Sequence, residues 1–164
     1  MTDETLPNQP YRHLERRLPM TFAAGFLSVL VFHQLMLAAL HGLGLTALTP
    51  YPMGATAPFG IPRVLSLAIW GGVWAIPLAL LLARLRSQGS YWWTALLFGA
   101  IGPSLVNWLV VMPIKNMPMG GGWHISGILT ALIINGAWGL GTALILYLGS
   151  KWRHEAPPHL LAHQ

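Results

Sequence analysis

Four long apolar runs, separated by short polar or Pro- and Gly-rich segments, dominate the chain. They cover about residues 20–43, 64–82, 91–112 and 125–148. A helix needs roughly 20 apolar residues to cross the hydrocarbon core of a bilayer, and each run is about that long. The pattern therefore predicts an all-α polytopic membrane protein with a four-transmembrane-helix bundle at 20–148. A polar N-terminal tail (1–19) and a C-terminal tail (149–164) flank it.

The composition agrees with this prediction and excludes several classes of site. Of the 164 residues, 54% are hydrophobic and only 8% are charged, whereas soluble domains carry about 25% charged residues. The absence of cysteine excludes disulfides, iron–sulfur clusters and thiolate metal sites. Lys and Arg form no patch beside aromatic residues, so we expect no nucleic-acid partner. The expected partners are the lipid bilayer and other membrane subunits, or further copies of this chain.

The distribution of Lys and Arg predicts the orientation. One side of the predicted topology carries seven of them and the other side carries two, Arg63 and Lys115. Because cytoplasmic loops are enriched in Lys and Arg, both termini should be cytoplasmic, in the inner membrane of a bacterium. The two long loops would then face the periplasm. The same bias argues against an antiparallel dimer of mixed topology. The seven are Arg12, Arg16, Arg17, Arg84, Arg86, Lys151 and Arg153.

A weak internal repeat relates the two halves of the chain. Gly72-Val73-Trp74 matches residues 136–138, and the Pro-Met-Gly triplet at residues 52–54 recurs at residues 118–120. One explanation is two repeated helix hairpins related by an axis along the membrane normal. The other is chance, because apolar helices resemble one another.

Small residues recur at every fourth position in three of the runs and predict close helix contacts. Asn107 and Asn135 lie on these rows, and with Gln34 they are the predicted helix-packing polar residues. Each is expected to form an interhelical hydrogen bond, and Asn107 pairing with Asn135 is one option. The deeper tryptophans are expected to fill the bundle. The rows are Gly71, Ala75, Ala79 and Ala83; Ala95, Gly99, Pro103 and Asn107; and Gly127, Ala131, Asn135, Gly139 and Ala143. The tryptophans are Trp70, Trp74, Trp108 and Trp138.

Histidine and methionine are the candidate ligands for a cofactor. His33 lies in the middle of the first run, and an ionisable residue there is a functional hypothesis by default. A haem b would use His33 or His41 together with His124. Thioether and imidazole groups suit copper(I), which predicts a copper site of Met112, Met117, Met119 and His124 toward the periplasmic side.

No catalytic residue is predicted. All four acidic residues, Asp3, Glu4, Glu15 and Glu155, lie in the tails, so carboxylate relays and general-acid pairs are excluded from the bundle core. The favoured function is a non-enzymatic accessory, assembly or regulatory subunit of a larger membrane complex. The alternatives are the haem- or copper-binding protein and a small homo-oligomeric transporter. In the transporter, the substrate pathway would run near His33, Gln34, Asn107 and Asn135.

Four short motifs resemble those of an uncharacterised group of small four-span inner-membrane proteins of proteobacteria. They are FHQ at 32–34, PFGIP at 58–62, WGGVW at 70–74 and NGAWGLG at 135–141. The resemblance covers most of the spans. It implies the architecture alone, and it implies no activity and no site residue.

Overall fold

The computed structural model describes the backbone of residues 9–155 and the side chains of residues 17–151. Within this part of the chain, four helices are long and apolar enough to cross a membrane, and they pack together. The predicted all-α four-helix bundle is confirmed, and the chain is a multi-pass membrane protein. We call the helices spans 1 to 4; they are Arg17–Gly42, Arg63–Leu82, Gln88–Ile114 and Ile125–Lys151. The apolar runs match these bounds to within one helical turn.

The predicted tails, with all four acidic residues, lie almost entirely outside the described side chains. Spans 1 and 3 each contain a π-turn, whose hydrogen-bonded ring is one residue wider than that of an α-helix. The segments in chain order are Gln9–Ser28 (α), Val29–His33 (π), Gln34–Gly42 (α), Arg63–Leu82 (α), Gln88–Val106 (α), Asn107–Val111 (π), Met112–Ile114 (α) and Ile125–Glu155 (α).

The two long loops lie at the same end of the bundle, because consecutive spans run in opposite directions. We call this the loop end, and the opposite end the terminal end. The first loop, residues 43–62, contains a small antiparallel pair of strands, β1 (Ala55–Thr56) and β2 (Ile61–Pro62). The second loop, residues 115–124, contains a single 3₁₀ turn, Met119–Gly122.

Backbone hydrogen bonds from the first loop satisfy the ends of the spans that it joins. Span 1 ends in a Schellman motif, in which Leu45 N–H donates to Leu40 O at 2.9 Å and Gly44 has a φ of 70°. Glycine adopts this left-handed conformation without a steric penalty. At the start of span 2, Arg63 N–H and Val64 N–H donate to carbonyls of the loop, each at 2.9 Å. The loop therefore replaces the partners that the first helical N–H groups lack.

Glycines bring the two spans of each hairpin into backbone contact. In the first hairpin, a Cβ added to Gly25 would overlap Gly71 O and Ala75 Cβ. In the second, a Cβ added to Gly99 would lie 2.7 Å from both Asn135 O and Gly139 Cα. The sequence repeat that matches Gly72 with Gly136 also matches residues 71 and 75 with 135 and 139. Both hairpins therefore have a close glycine contact at these matched positions of spans 2 and 4. That the hairpins are repeats stays a prediction.

Trp138 of span 4 joins the two hairpins. Its indole is the largest fully buried side chain, and Nε1 donates to Gly25 O at 3.0 Å. In return, Ser28 Oγ donates to Trp138 O at 2.7 Å. The repeat counterpart, Trp74, instead packs edge-on against Phe98, with ring centroids 5.9 Å apart. Spans 1 and 4 are accordingly in more extensive contact than spans 2 and 3.

The tryptophans and the small-residue rows fill the bundle only in part. Trp108 and Trp138 are buried, whereas Trp70 is 60% exposed on the outer surface. Gly71 and Gly72, its neighbours, occupy the buried face at that level. The rows also leave the bundle at their ends, where Ala83 and Gly127 are exposed. On an α-helix, every fourth residue is offset by about 40°, so a long row winds away from any one neighbour.

The glycine contact of the second hairpin predicts a strong position dependence for substitution to alanine. A Cβ on Gly139 would overlap the carbonyl oxygen of Ala95, whereas one on Gly127 would meet nothing within 4 Å. Gly139→Ala should lower the free energy of unfolding by about 1–3 kcal/mol, because the two helix backbones must separate. Gly127→Ala is the matched control in the same helix. Thermal unfolding in detergent measures both, and equal stabilities for the two variants would contradict the contact.

Candidate functional site

The π-turn of span 1 carries the two polar residues that the sequence places at mid-membrane, His33 and Gln34. Gln34 N–H donates to Val29 O, five residues back, and also to Val31 O. The bond of a regular α-helix, from Gln34 N–H to Leu30 O, is absent. Leu30 O instead accepts a hydrogen bond from the Tyr51 hydroxyl at 2.9 Å. Wide turns of this kind occur frequently at functional sites.

Gln34 connects this turn to the first loop. Its side chain is fully buried, and Oε1 accepts the backbone N–H of Tyr51 at 2.7 Å. Its Nε2 lies 3.3 Å from Nδ1 of His33, which is also buried. Because an amide nitrogen donates and does not accept, Nδ1 is the acceptor, and a neutral imidazole then carries its proton on Nε2. The polar pair of span 1 is therefore engaged in holding the loop.

Tyr51 is held in a backbone conformation that is rare for a bulky residue. Its φ is 49°, in the left-handed region, where Cβ clashes with the carbonyl oxygen. Both its N–H and its hydroxyl are bonded to span 1, at Gln34 and Leu30. These two bonds oppose the conformational cost, which is of the order of 1–3 kcal/mol.

The second hairpin repeats this arrangement with different side chains. Trp123, in the second loop, has a φ of 57°. Its ring packs edge-on against that of Trp108, with centroids 6.0 Å apart, and Trp108 lies in the π-turn of span 3. Each π-turn is therefore covered by an aromatic residue of the following loop in left-handed conformation. Neither aromatic contact could be predicted from the sequence, because nothing in the local sequence marks a contact between a loop and a π-turn.

The predicted cofactor ligands lie in different environments. His33 is inside the bundle, whereas His41 and His124 are exposed at the loop end. His41 Nδ1 lies 3.2 Å from Thr46 O. Among the described residues, no group of three or more His, Asp or Glu side chains is arranged to hold a metal ion. The haem pairs therefore stay predictions.

The predicted copper ligands all belong to the region around the second loop. Met112 is half-buried, and its Cε would lie 3.7 Å from a Cβ on Gly121. Met117 N–H donates to Met112 O at 2.9 Å, which folds the chain back at this point. Met117, Met119 and His124 are exposed. The copper set also stays a prediction.

Asn135 forms an interhelical hydrogen bond, but its partner is not Asn107. Its Nδ2 donates to the buried Ser104 Oγ of span 3 at 2.9 Å. Asn107 lies on the outward surface of span 3, is exposed, and its side chain has no hydrogen-bond partner within residues 17–151. The reason is the offset of about 40° per step along the row Ala95–Gly99–Pro103–Asn107. Ala95 and Gly99 are buried against span 4, and Asn107 has wound out of that contact.

No protein-family model matches the chain, no curated protein matches it, and no solved structure matches it. The resemblance to the four-span group of proteobacterial proteins stays a prediction.

The connection between Gln34 and Tyr51 predicts a measurable change in the first loop. Gln34→Leu removes the acceptor of Tyr51 N–H, and a lost hydrogen bond of about 0.5–1.5 kcal/mol corresponds to roughly a tenfold change at its upper limit. The amide of Tyr51 should therefore exchange with deuterium up to about tenfold faster. Gln88→Leu, at an exposed residue of the terminal end, is the control. An unchanged exchange rate in Gln34→Leu would contradict this role.

The Asn135–Ser104 pair predicts coupling in a double-mutant cycle. The cycle of Asn135→Ala and Ser104→Ala should give a coupling energy of about 0.6 kcal/mol and at most about 1.7 kcal/mol, the range of such bonds in membranes. Asn135→Ala with Thr142→Ala should be additive, because Thr142 Oγ1 donates to Trp138 O of its own helix. Denaturation in mixed micelles measures the four stabilities of each cycle. Additivity of the first pair would show that the bond is energetically silent.

Proposed function

We propose that the chain is a non-enzymatic accessory, assembly or regulatory subunit of a larger membrane complex. It acts through contacts between its spans and other membrane-embedded helices, which belong to other subunits or to further copies of the chain. One observation carries the proposal: the amide of Asn107, on the outward surface of span 3, has no hydrogen-bond partner among the side chains and backbone described for residues 17–151.

Asn107 differs from every comparable residue of the described spans. Among the Ser, Thr, Asn, Gln, His, Lys and Arg residues that lie more than one helical turn from the end of a described span, Asn107 alone is exposed. The others are buried or half-buried within the bundle; they are Thr21, Ser28, His33, Gln34, Thr94, Ser104, Thr130, Asn135 and Thr142.

The depth of Asn107 makes its exposure costly. Span 3 has 27 residues and is therefore about 40 Å long, against a hydrocarbon core of about 30 Å. Asn107 lies two turns, about 10 Å, from the end of the span at Ile114, which is inside the hydrocarbon core. An amide without a partner there loses the hydrogen bonds that water would provide. A polar group of a neighbouring helix restores them, which favours association.

The polar groups inside the bundle have structural partners. Within residues 17–151, no buried side-chain nitrogen or oxygen lacks a hydrogen bond. Ser28 with Trp138, Asn135 with Ser104, and the hydroxyl of Tyr91 with Ala143 O join one span to another. These groups are used in the packing of the chain's own spans, which leaves Asn107 as the polar side chain available to a partner among the residues compared above.

The proposal includes the inner membrane of a bacterium and cytoplasmic termini. At the loop end, the exposed basic residues are Arg63 and Lys115; the terminal end exposes Arg17, Arg84, Arg86 and Lys151. This distribution supports the orientation, because Lys and Arg are enriched in cytoplasmic segments near the membrane.

Purification of the tagged full chain from its native membrane in mild detergent tests the proposal. We expect a defined membrane protein to co-purify in a fixed ratio. Asn107→Leu should lower, at least tenfold, the recovery of the partner that contacts this amide, whether that partner is another subunit or an untagged copy of the chain. Leu97→Ala, at a lipid-facing position of the same span that is 52% exposed, should not lower the recovery. A chain that purifies alone as a monomer would overturn the proposal. A Soret band or stoichiometric copper in the same sample would favour the alternative, with His33, His41, His124 and the three methionines as ligands.

A further inference from the structure

We infer that the Asn107 side chain forms hydrogen bonds with the Asn107 side chain of a second copy of this chain. The two copies would be parallel, related by a two-fold axis along the membrane normal that passes close to the two Asn107 side chains. The inference rests on the proposed function, because it takes the exposed amide as an association site, and it names the partner.

The chemistry of the amide favours a partner identical to itself. An Asn side chain has both a donor, Nδ2, and an acceptor, Oδ1. Two amides related by a two-fold axis therefore donate to each other and accept from each other. In parallel coiled coils, a single buried Asn likewise specifies the register and the oligomeric state, at some cost in stability.

The depth of the amide leads to the same partner. All copies share one orientation if the seven-to-two distribution of Lys and Arg controls insertion. Each copy then presents Asn107 at the same level of the bilayer. A different protein would need a polar side chain that happens to lie at this level.

The surface around Asn107 is available for such a contact. Span 3 is the least buried of the four spans within one chain. Beyond Asn107, Val110 is 47% exposed and Ile114 is 75% exposed. Both side chains are β-branched and restricted at χ1, so they lose little conformational freedom when they pack against a second helix.

Single-cysteine crosslinking tests the inference, because the chain contains no cysteine. Val110→Cys and Ile114→Cys are introduced separately into the otherwise unchanged full chain, and native membranes are oxidised with copper phenanthroline. At least one variant should form a disulfide-linked dimer. Leu35→Cys, which is 57% exposed on span 1, is the matched control and should form at least tenfold less. Equal crosslinking of the control, or no dimer from either variant, would overturn the inference.

A second substitution tests the amide itself. In the crosslinking background, Asn107→Leu should lower the dimer yield at least tenfold, whereas Asn107→Gln, which keeps an amide, should retain most of it. An undiminished yield in Asn107→Leu would overturn the role of the amide.

The outcomes separate this inference from the proposed function. If another protein co-purifies and its recovery depends on Asn107, while no homodimer forms, the inference fails and the proposed function stands. If the homodimer forms and no other protein co-purifies, the inference stands and the larger complex is overturned. A chain without either partner overturns both.

Discussion

The bundle depends on the contact at Gly25, where three spans meet. Lipid tails are as apolar as leucine, so spans are held by close packing and hydrogen bonds and not by the hydrophobic effect. At Gly25 the missing side chain admits the backbone of span 2, and the carbonyl accepts the indole N–H of Trp138. Ser28, one turn later, donates to the carbonyl of Trp138 itself. Two helices therefore exchange a side-chain bond in each direction, which fixes both their distance and their register.

The four spans could be predicted from the sequence because the thickness of the bilayer dictates the length of an apolar run. The rows of small residues identified Gly71, Ala75 and Gly139 as contact positions, since close approach requires small side chains. The rows of small residues predicted helix contacts wrongly at positions where a strict spacing of four residues has departed from the helical period of 3.6. That departure brings Asn107 to the outer surface, and the Gly71–Gly72 contact leaves Trp70 facing outward.

The candidate site was less predictable, for a physical reason. His33 and Gln34 stood out as polar residues in an apolar run, but their partner is Tyr51, in a loop that the sequence marks only as rich in Pro and Gly. A π-turn has no local sequence signature, because its wide hydrogen-bonded ring is selected by contacts with the rest of the molecule. Tyr51 and Trp123 cover the two turns, and neither contact follows from the spacing of residues along the chain.

Each π-turn also sets how the part of the span that follows it is rotated relative to the part that precedes it. Its ring holds one more residue than an α-helical ring, so an α-helix with one residue inserted has the same geometry. Removing that residue would turn everything beyond it by about 100°. In span 1, this rotation would turn the buried side chains of Leu37 and Leu40 out of the bundle, whereas Gly25 would keep its position. A single insertion thus allows the loop-end third of a span to meet its neighbours independently of the glycine contact below it.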